Sequence, residues 1–148
     1  MRRKARKNQI VEEYAHMWPR EVFDCLVPDE NSKKKRKLVR GLELLDKPGV
    51  YVLYRDDVPY YVGQAIRLRG RMKSHASVPG ARYHNFWNFF SAFVIPDQRR
   101  RNEIEGILIA AMPTANSAKP RLKKAKFPLA VRKMVRNIRR NYANPTFD

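Results

Sequence analysis

Two short runs of β-forming residues, set back to back across a polar turn, constrain this chain more than any other feature. Gly49-Val50-Tyr51-Val52-Leu53-Tyr54 is β-branched and aromatic and follows the turn pair Pro48-Gly49, a pattern that reads as a strand. Val58 to Val62 is a second strand, and Arg55-Asp56-Asp57 between them is turn material, so the pair predicts a hairpin. A three-residue turn closing Tyr54 against Val58 pairs Tyr51 with Tyr61, and directly paired residues point to one face of a sheet. A two-residue turn shifts the pairing by one and sends the two tyrosines to opposite faces. Asp57 tolerates the left-handed conformation that the three-residue loop needs. Pro59 must then sit on a sheet edge or at a bulge.

Downstream, Ala65 to His75 reads as a helix with Leu68 and Met72 on its inner face, broken by Ser77-Val78-Pro79-Gly80. Phe86 to Ile95 is a third, aromatic strand. Asp97 caps a second helix that runs to about Met112, where Pro113 halts it. The order β-β-α-β-α predicts an α+β fold, a small three-stranded antiparallel sheet flanked by helices. Upstream, Ile10 to Leu26 is apolar-rich with Pro19 near its middle, which suggests two short helices, the second opening at Pro19. From Pro128 to about Tyr142, Val131, Met134, Val135, Ile138 and Tyr142 fall on one helical stripe. Arg132, Lys133, Arg136, Arg139 and Arg140 cover most of the rest, the pattern of a docked helix with a basic outer face. The chain thus divides into a basic arm, helical segment and linker (1–47), a core (48–120) and a basic C-terminal helical extension (121–148).

The charge balance narrows the partner. Thirty-two Lys and Arg against 14 Asp and Glu leave a net charge of +18, an imbalance that solubility alone does not require. A polyanion, nucleic acid ahead of a membrane surface, accounts for it. The basic residues cluster at Arg2 to Lys7, at Lys33-Lys34-Lys35-Arg36-Lys37 and along the C-terminal helix; the second cluster follows Pro28-Asp29-Glu30-Asn31-Ser32 and reads as an exposed linker. The longest apolar run in a helical context, Ile107 to Met112, is too short to span a bilayer. No apolar stretch follows the basic N-terminus as in a secretory signal. Cys25 is the single cysteine and excludes an internal disulfide; it is expected to be a small core residue beside Phe23 and Leu26. Together these features suggest an intracellular, cytoplasmic protein.

Gly49-Val50-Tyr51 followed by Tyr61-Val62-Gly63 resembles the paired signature of the GIY-YIG nuclease family, with valine in place of isoleucine each time. The continuation strengthens the resemblance. Arg71 falls where the family has an essential arginine on a helix, and His75 follows one turn later, where many members have histidine. Glu105 falls where the family has an invariant glutamate on a helix, and Asn116 follows after Pro113, where the family has asparagine. The likeness spans about Pro48 to Asn116. It implies a divalent-metal-dependent endonuclease acting on DNA, with Mg²⁺ or another hard cation such as Mn²⁺ on Glu105. Tyr51 would activate the attacking water with Tyr61 in support, Arg71 would stabilise the transition state, His75 would assist proton transfer, and Asn116 would support the site. A non-catalytic nucleic-acid-binding module of the same fold is the alternative, though a degenerate member is expected to lack the glutamate or the arginine. A third possibility, an RNA-associated basic protein, finds no RNA-binding motif.

Residue chemistry gives separate grounds. Phosphodiester hydrolysis needs an activated water, a cation near the phosphate and help for the leaving oxygen. Glu105 lies on a helix whose later turns are nearly all apolar, and a hard divalent ion with several waters is a fitting partner. The plain alternative is an ion pair with Arg101, one turn earlier. Arg71 and His75 share a helix face with Arg67. An arginine grips two phosphate oxygens and stays charged, while Arg67 and Arg69 serve equally well as general phosphate contacts. A tyrosine is a poor base at its usual pKa of about 10 unless nearby positive charge depresses it. Tyr54 and Tyr60 read as packing residues, and Gly49 and Gly63 as keeping backbone near the phosphate uncluttered. His84 and Asn85, before the third strand, could contact substrate or simply build the loop.

Overall fold

The two central runs form the expected antiparallel hairpin, β4 (Gly49–Arg55) with β5 (Val58–Ala65), in a computed structural model that describes residues 8–77, 86–116, 120 and 122–143. Its register departs from expectation. Arg55 pairs with Val58 and Tyr54 with Pro59, so the turn is Asp56-Asp57 alone. Asp56, not Asp57, takes the left-handed conformation, with φ of 56°. The cause lies elsewhere in the chain. The Asp56 backbone N–H donates to Asn88 Oδ1 at 2.7 Å, and Asn88 Nδ2 donates back to Asp56 Oδ1 at 2.8 Å. By itself this turn would have sent Tyr51 and Tyr61 to opposite faces. A bulge restores the parity: Tyr60 is the extra residue, pairing resumes at Leu53–Tyr61, and Tyr51 falls opposite Gly63.

The sheet has four strands, not three, in the order β1-β6-β4-β5. The added edge is β1 (Glu13–Pro19), antiparallel to β6 (Phe89–Val94), and it replaces the first of the two helices expected before Leu26. The reason is the aromatic character of β6, whose open edge and rings need cover. Tyr14 stacks on Phe93 with centroids 6.1 Å apart, and Trp18 meets Phe90 edge-on at 6.1 Å. Pro19 does precede a helical turn, a short 3-10 helix at Arg20–Asp24. The cluster expected in a linker, Lys33 to Lys37, instead lies on β3 (Ser32–Leu38), which pairs with β2 (Leu26–Asp29) in a second hairpin. Its turn is closed by Asp29 Oδ1 accepting from the Asn31 N–H at 3.0 Å. Cys25 is exposed and free, contrary to the core placement expected, because the chain leaves the core between the 3-10 turn and β2.

Residues alternate across β4, and the alternation sorts the core into two layers. Tyr51 and Leu53 pack with Leu68 and Met72 of α1 (Leu68–Ser77) and with Phe23, Trp87 and Phe90. Val50 and Val52 pack with Val62, Ile95 and the apolar side of α2 (Gln98–Ala111). The two helices therefore lie on opposite faces of the sheet. Asp97 caps α2 as expected, accepting from the Arg100 N–H at 3.0 Å. Beyond α2 the chain returns along β5, its edge strand, with the Ala115 N–H donating to Tyr60 O at 2.8 Å.

The C-terminal helix α3 (Leu129–Ala143) forms where its stripe predicts, but the described residues leave most of that stripe uncovered. Met134 is 62% exposed and Ile138 50% exposed, so the apolar stripe faces outward. Amphipathic spacing specifies that a stripe exists, not what covers it. Among the described residues no helix is long and apolar enough to cross a membrane. The basic arm Arg2 to Lys7, the breaker at 78–80, and His84 and Asn85 lie outside the described residues.

Candidate active site

Tyr51 is wholly buried, and its ring lies across Gly63 on the neighbouring strand: a Cβ at Gly63 would overlap Cζ and Oη of the tyrosine. Gly49 is likewise glycine because a Cβ there would overlap the Phe93 carbonyl of β6. Both glycines thus make room for the protein's own groups, which corrects the expectation that they keep space for a phosphate. Tyr61 is half-buried on the same face, its ring centroid 6.2 Å from that of Tyr51. The tyrosines converge as expected, but as diagonal neighbours across the bulged register rather than as a direct pair.

Arg71 rises from α1 to both phenols and donates hydrogen bonds to Tyr51 and to Tyr61. Its charged form is held more firmly still, chiefly by its interaction with Tyr51. Tyr51 moves the opposite way from the depression expected of it. Burial, then Tyr61, hold its phenol well above the usual tyrosine range, and the charge and hydrogen bond of Arg71 recover only part of that shift. A phenol sealed in an apolar layer keeps its proton because water cannot solvate the anion.

Glu105 lies on α2, which packs on the other face of the sheet from α1, yet its charge reaches Tyr51 and Arg71, so the site draws on helices from both faces. It closes around the edge strand β5. Tyr61 and Gly63 point to the α1 side, while Val62 and Gln64 point to the α2 side. Gln64 carries the connection, donating to Glu105 and, through Nε2, to Asn102 Oδ1 at 2.7 Å. Burial raises the Glu105 carboxyl above the ordinary carboxylate range, while the Gln64 hydrogen bond and the nearby Arg71 charge pull it back down. Sequence reasoning missed Gln64 and Asn102, since nothing local signals that they meet. The plain alternative for Glu105 is not realised: Arg101 Nη1 instead donates to the carbonyls of Ile95 at 2.9 Å and Pro96 at 2.7 Å. Among the described residues no three His, Cys, Asp or Glu groups gather as a metal cage around Glu105 or elsewhere.

Asn116 is brought against the outer edge of β5. Its Oδ1 accepts from the Val62 N–H at 2.9 Å and its Nδ2 donates to Val62 O at 2.7 Å, so one amide side chain satisfies both backbone groups of a β5 residue. Val62 lies between Tyr61 and Gly63, and Asn116 thereby fixes the strand that carries both. His75 falls on α1, but its side chain lies outside the described part of the molecule. Arg67 is paired with Asp46 at 2.9 Å, and Arg69 Nη2 donates to Arg36 O at 3.3 Å, which ties the basic strand β3 to the arginine-bearing helix. Side chains of Lys33 and Lys34 also lie outside the described part; Lys35 and Arg36 are exposed and Lys37 is half-buried. Arg132, Lys133, Arg136, Arg139 and Arg140 are exposed on α3.

Residues 47–118 match the family model of the GIY-YIG catalytic domain. Crystal structures of the GIY-YIG N-terminal endonuclease domain of UvrC from Thermotoga maritima are similar over part of the chain. The form bound to its catalytic divalent cation, magnesium, is 28% identical, covering 47% of this chain and 84% of that one with a TM-score of 0.40. A form with one asparagine changed to alanine, also bound to its catalytic divalent cation, is 28% identical over 47% of this chain and 83% of that one, with a TM-score of 0.40. No curated protein gives a significant match.

Proposed function

Residues 47–118 of this chain belong to the GIY-YIG family, and from that premise we propose that the protein is a divalent-metal-dependent endonuclease that hydrolyses DNA phosphodiester bonds at the β5 edge. The observation that carries the reading is the Arg71 guanidinium bound to both phenols, with Glu105 within reach of its charge. Each of these groups has a structural use alone, but packing gives no reason for them to meet.

The residues present fit a hard cation. A single carboxylate whose anionic form is disfavoured by burial gains from a positive partner, and an ion that keeps most of its waters needs only one protein ligand. Glu105 would hold Mg²⁺ or Mn²⁺, which would supply positive charge to the phosphate and a more acidic bound water.

The chain's own residues do the rest. Arg71 faces the phosphate with a planar fork that stays charged, and spreads its charge over two oxygens as negative charge builds in the transition state. Tyr51, the sequence-based choice for activating water, instead keeps its proton and holds Arg71 in place from inside the core. Tyr61 is the half-buried phenol of the pair, and its oxygen is the one placed to accept a hydrogen bond from the attacking water and so orient it. Gln64 fixes the direction of the Glu105 carboxylate. Asn116 is a positioning residue that acts through Val62, and His75 joins the proposal through the family resemblance, as an aid to proton transfer. Lys33 to Lys37, Arg67, Arg69 and the cations of α3 provide phosphate contacts that are independent of sequence.

A cleavage assay on linear, branched and single-stranded DNA, with and without Mg²⁺, tests the reading. Cleavage of at least one substrate only in the presence of the ion is expected. DNA binding with no cleavage of any substrate would instead mark a binding module of the same fold.

A further inference from the structure

Arg101 has no role in the proposed reaction, and its surroundings are unusual for a cation. Only 6% of it is exposed, yet the ion pairs among the described residues are Lys47–Glu13 and Arg67–Asp46, neither of which involves it. A guanidinium buried without a counterion is costly, and a protein that keeps one generally supplies an anion. Nη1 is occupied by the Ile95 and Pro96 carbonyls. Trp87 Nε1 is the sole wholly buried side-chain nitrogen or oxygen without a partner among the described residues, so the remaining N–H groups of Arg101 reach solvent.

They reach it in a cleft of about 320 Å³ that adjoins the site. Arg67, paired with Asp46, lines it with Arg71, Arg101, Gln64 and Gln98, and no carboxylate is among the described lining residues. Gln98, Arg101 and Glu105 follow one another along α2 at helical spacing, so the cleft continues the site toward the start of that helix. Arg101 and Glu105 are four residues apart, about 6 Å along the axis, a distance on the scale of one nucleotide step.

We infer that this cleft is a second phosphate seat, in which Arg101, with Arg67 and Gln98 beside it, holds the phosphate next to the one being cut. The inference rests on the endonuclease reading and adds to it that the cut strand is gripped at consecutive phosphates. Arg101 suits the task because its two carbonyl bonds fix the guanidinium before any ligand arrives, leaving a preorganised pair of donors.

The test uses the whole protein and tetrathymidylate without divalent ion, read through the arginine Nε–Hε signals in NMR, so that binding is seen apart from cleavage. The Arg71 and Arg101 signals are expected to shift along one saturation curve, and a strand with methylphosphonate linkages should move neither. Gln98→Glu places a carboxylate in the seat from an exposed position that holds no part of the fold. It should abolish the Arg101 shift and weaken binding roughly tenfold, while Arg71 still responds. If Arg71 shifts and Arg101 stays still, or if Gln98→Glu leaves the Arg101 response unchanged, the second seat is refuted while the cutting site stands. If neither signal moves at saturating strand, both the seat and the proposed path of the DNA are refuted.

Discussion

The ring of Tyr51 occupies the space that a side chain on Gly63 would fill. One strand's glycine is therefore the seat for the other strand's tyrosine, and through it for Arg71. Gly63→Ala should displace the ring, lower stability by about 1–3 kcal/mol, the usual cost of overpacking, and reduce cleavage to background. In a Tyr51→Ala background the same substitution should cost far less, because the space is then empty. A double-mutant cycle on thermal unfolding checks this; equal costs in the two backgrounds would mean that the two residues do not compete for that space.

Asn116 satisfies both backbone groups of Val62. Asn116→Ala should destabilise the protein by about 1–3 kcal/mol, the cost of leaving such groups without partners. Asn116→Asp keeps an acceptor for the Val62 N–H but loses the donor to Val62 O, and should recover only part of that loss. Chemical denaturation of the three proteins measures it. An alanine variant as stable as the parent that nevertheless fails to cleave would assign Asn116 to the chemistry instead.

How far the sequence reveals this arrangement depends on whether each determinant is local. The strands β4 and β5 are legible because β-branched and aromatic residues are concentrated there, and the cap at Asp97 because capping is a matter of a few neighbouring residues. The bulge at Tyr60 is not legible: it follows from a turn held by Asn88, a residue 32 positions from Asp56. β1 is not legible either, since Tyr14 and Trp18 become strand residues by meeting Phe93 and Phe90. Within the site, Tyr51, Tyr61, Arg71 and Glu105 can be picked out by family pattern. Gln64 and Asn102 cannot, because their meeting is set by the packing of α2 against β5, and Arg101 cannot, because its partners are backbone carbonyls that no side-chain pattern marks.

Burial raises the Glu105 carboxyl above the ordinary range, and the sign of the consequence is fixed. A carboxyl with a raised pKa in the folded state favours folding while it is protonated, below its unfolded value. That advantage is lost as pH rises through the folded value, so near neutrality the carboxylate is a liability without its cation. Glu105→Gln should therefore slightly raise the melting temperature of the metal-free protein at neutral pH, and the difference should vanish as pH falls below the carboxylate range. A difference that grows on acidification would contradict the assigned shift.

The apolar stripe of α3 faces solvent, so the helix adds charge without supporting the core. Truncation after Lys126 should change folding stability by less than about 0.5 kcal/mol, as for other surface changes. It should weaken DNA binding and flatten its salt dependence, with log K against log salt losing up to about 0.9 in slope for each phosphate contact removed. Anisotropy titrations across a salt series, beside thermal unfolding of the same proteins, measure both. Loss of cooperative unfolding on truncation would show that α3 is packed after all.

The most direct test of the proposed chemistry is Glu105→Ala, assayed for DNA cleavage in Mg²⁺ and for DNA binding in parallel. Cleavage should fall to background while affinity stays close to that of the parent, since the substitution removes the carboxylate that would hold the ion and leaves the basic surface untouched. Parental cleavage by the purified variant would contradict the assignment of Glu105 as the metal-holding residue, and with it the proposed active site.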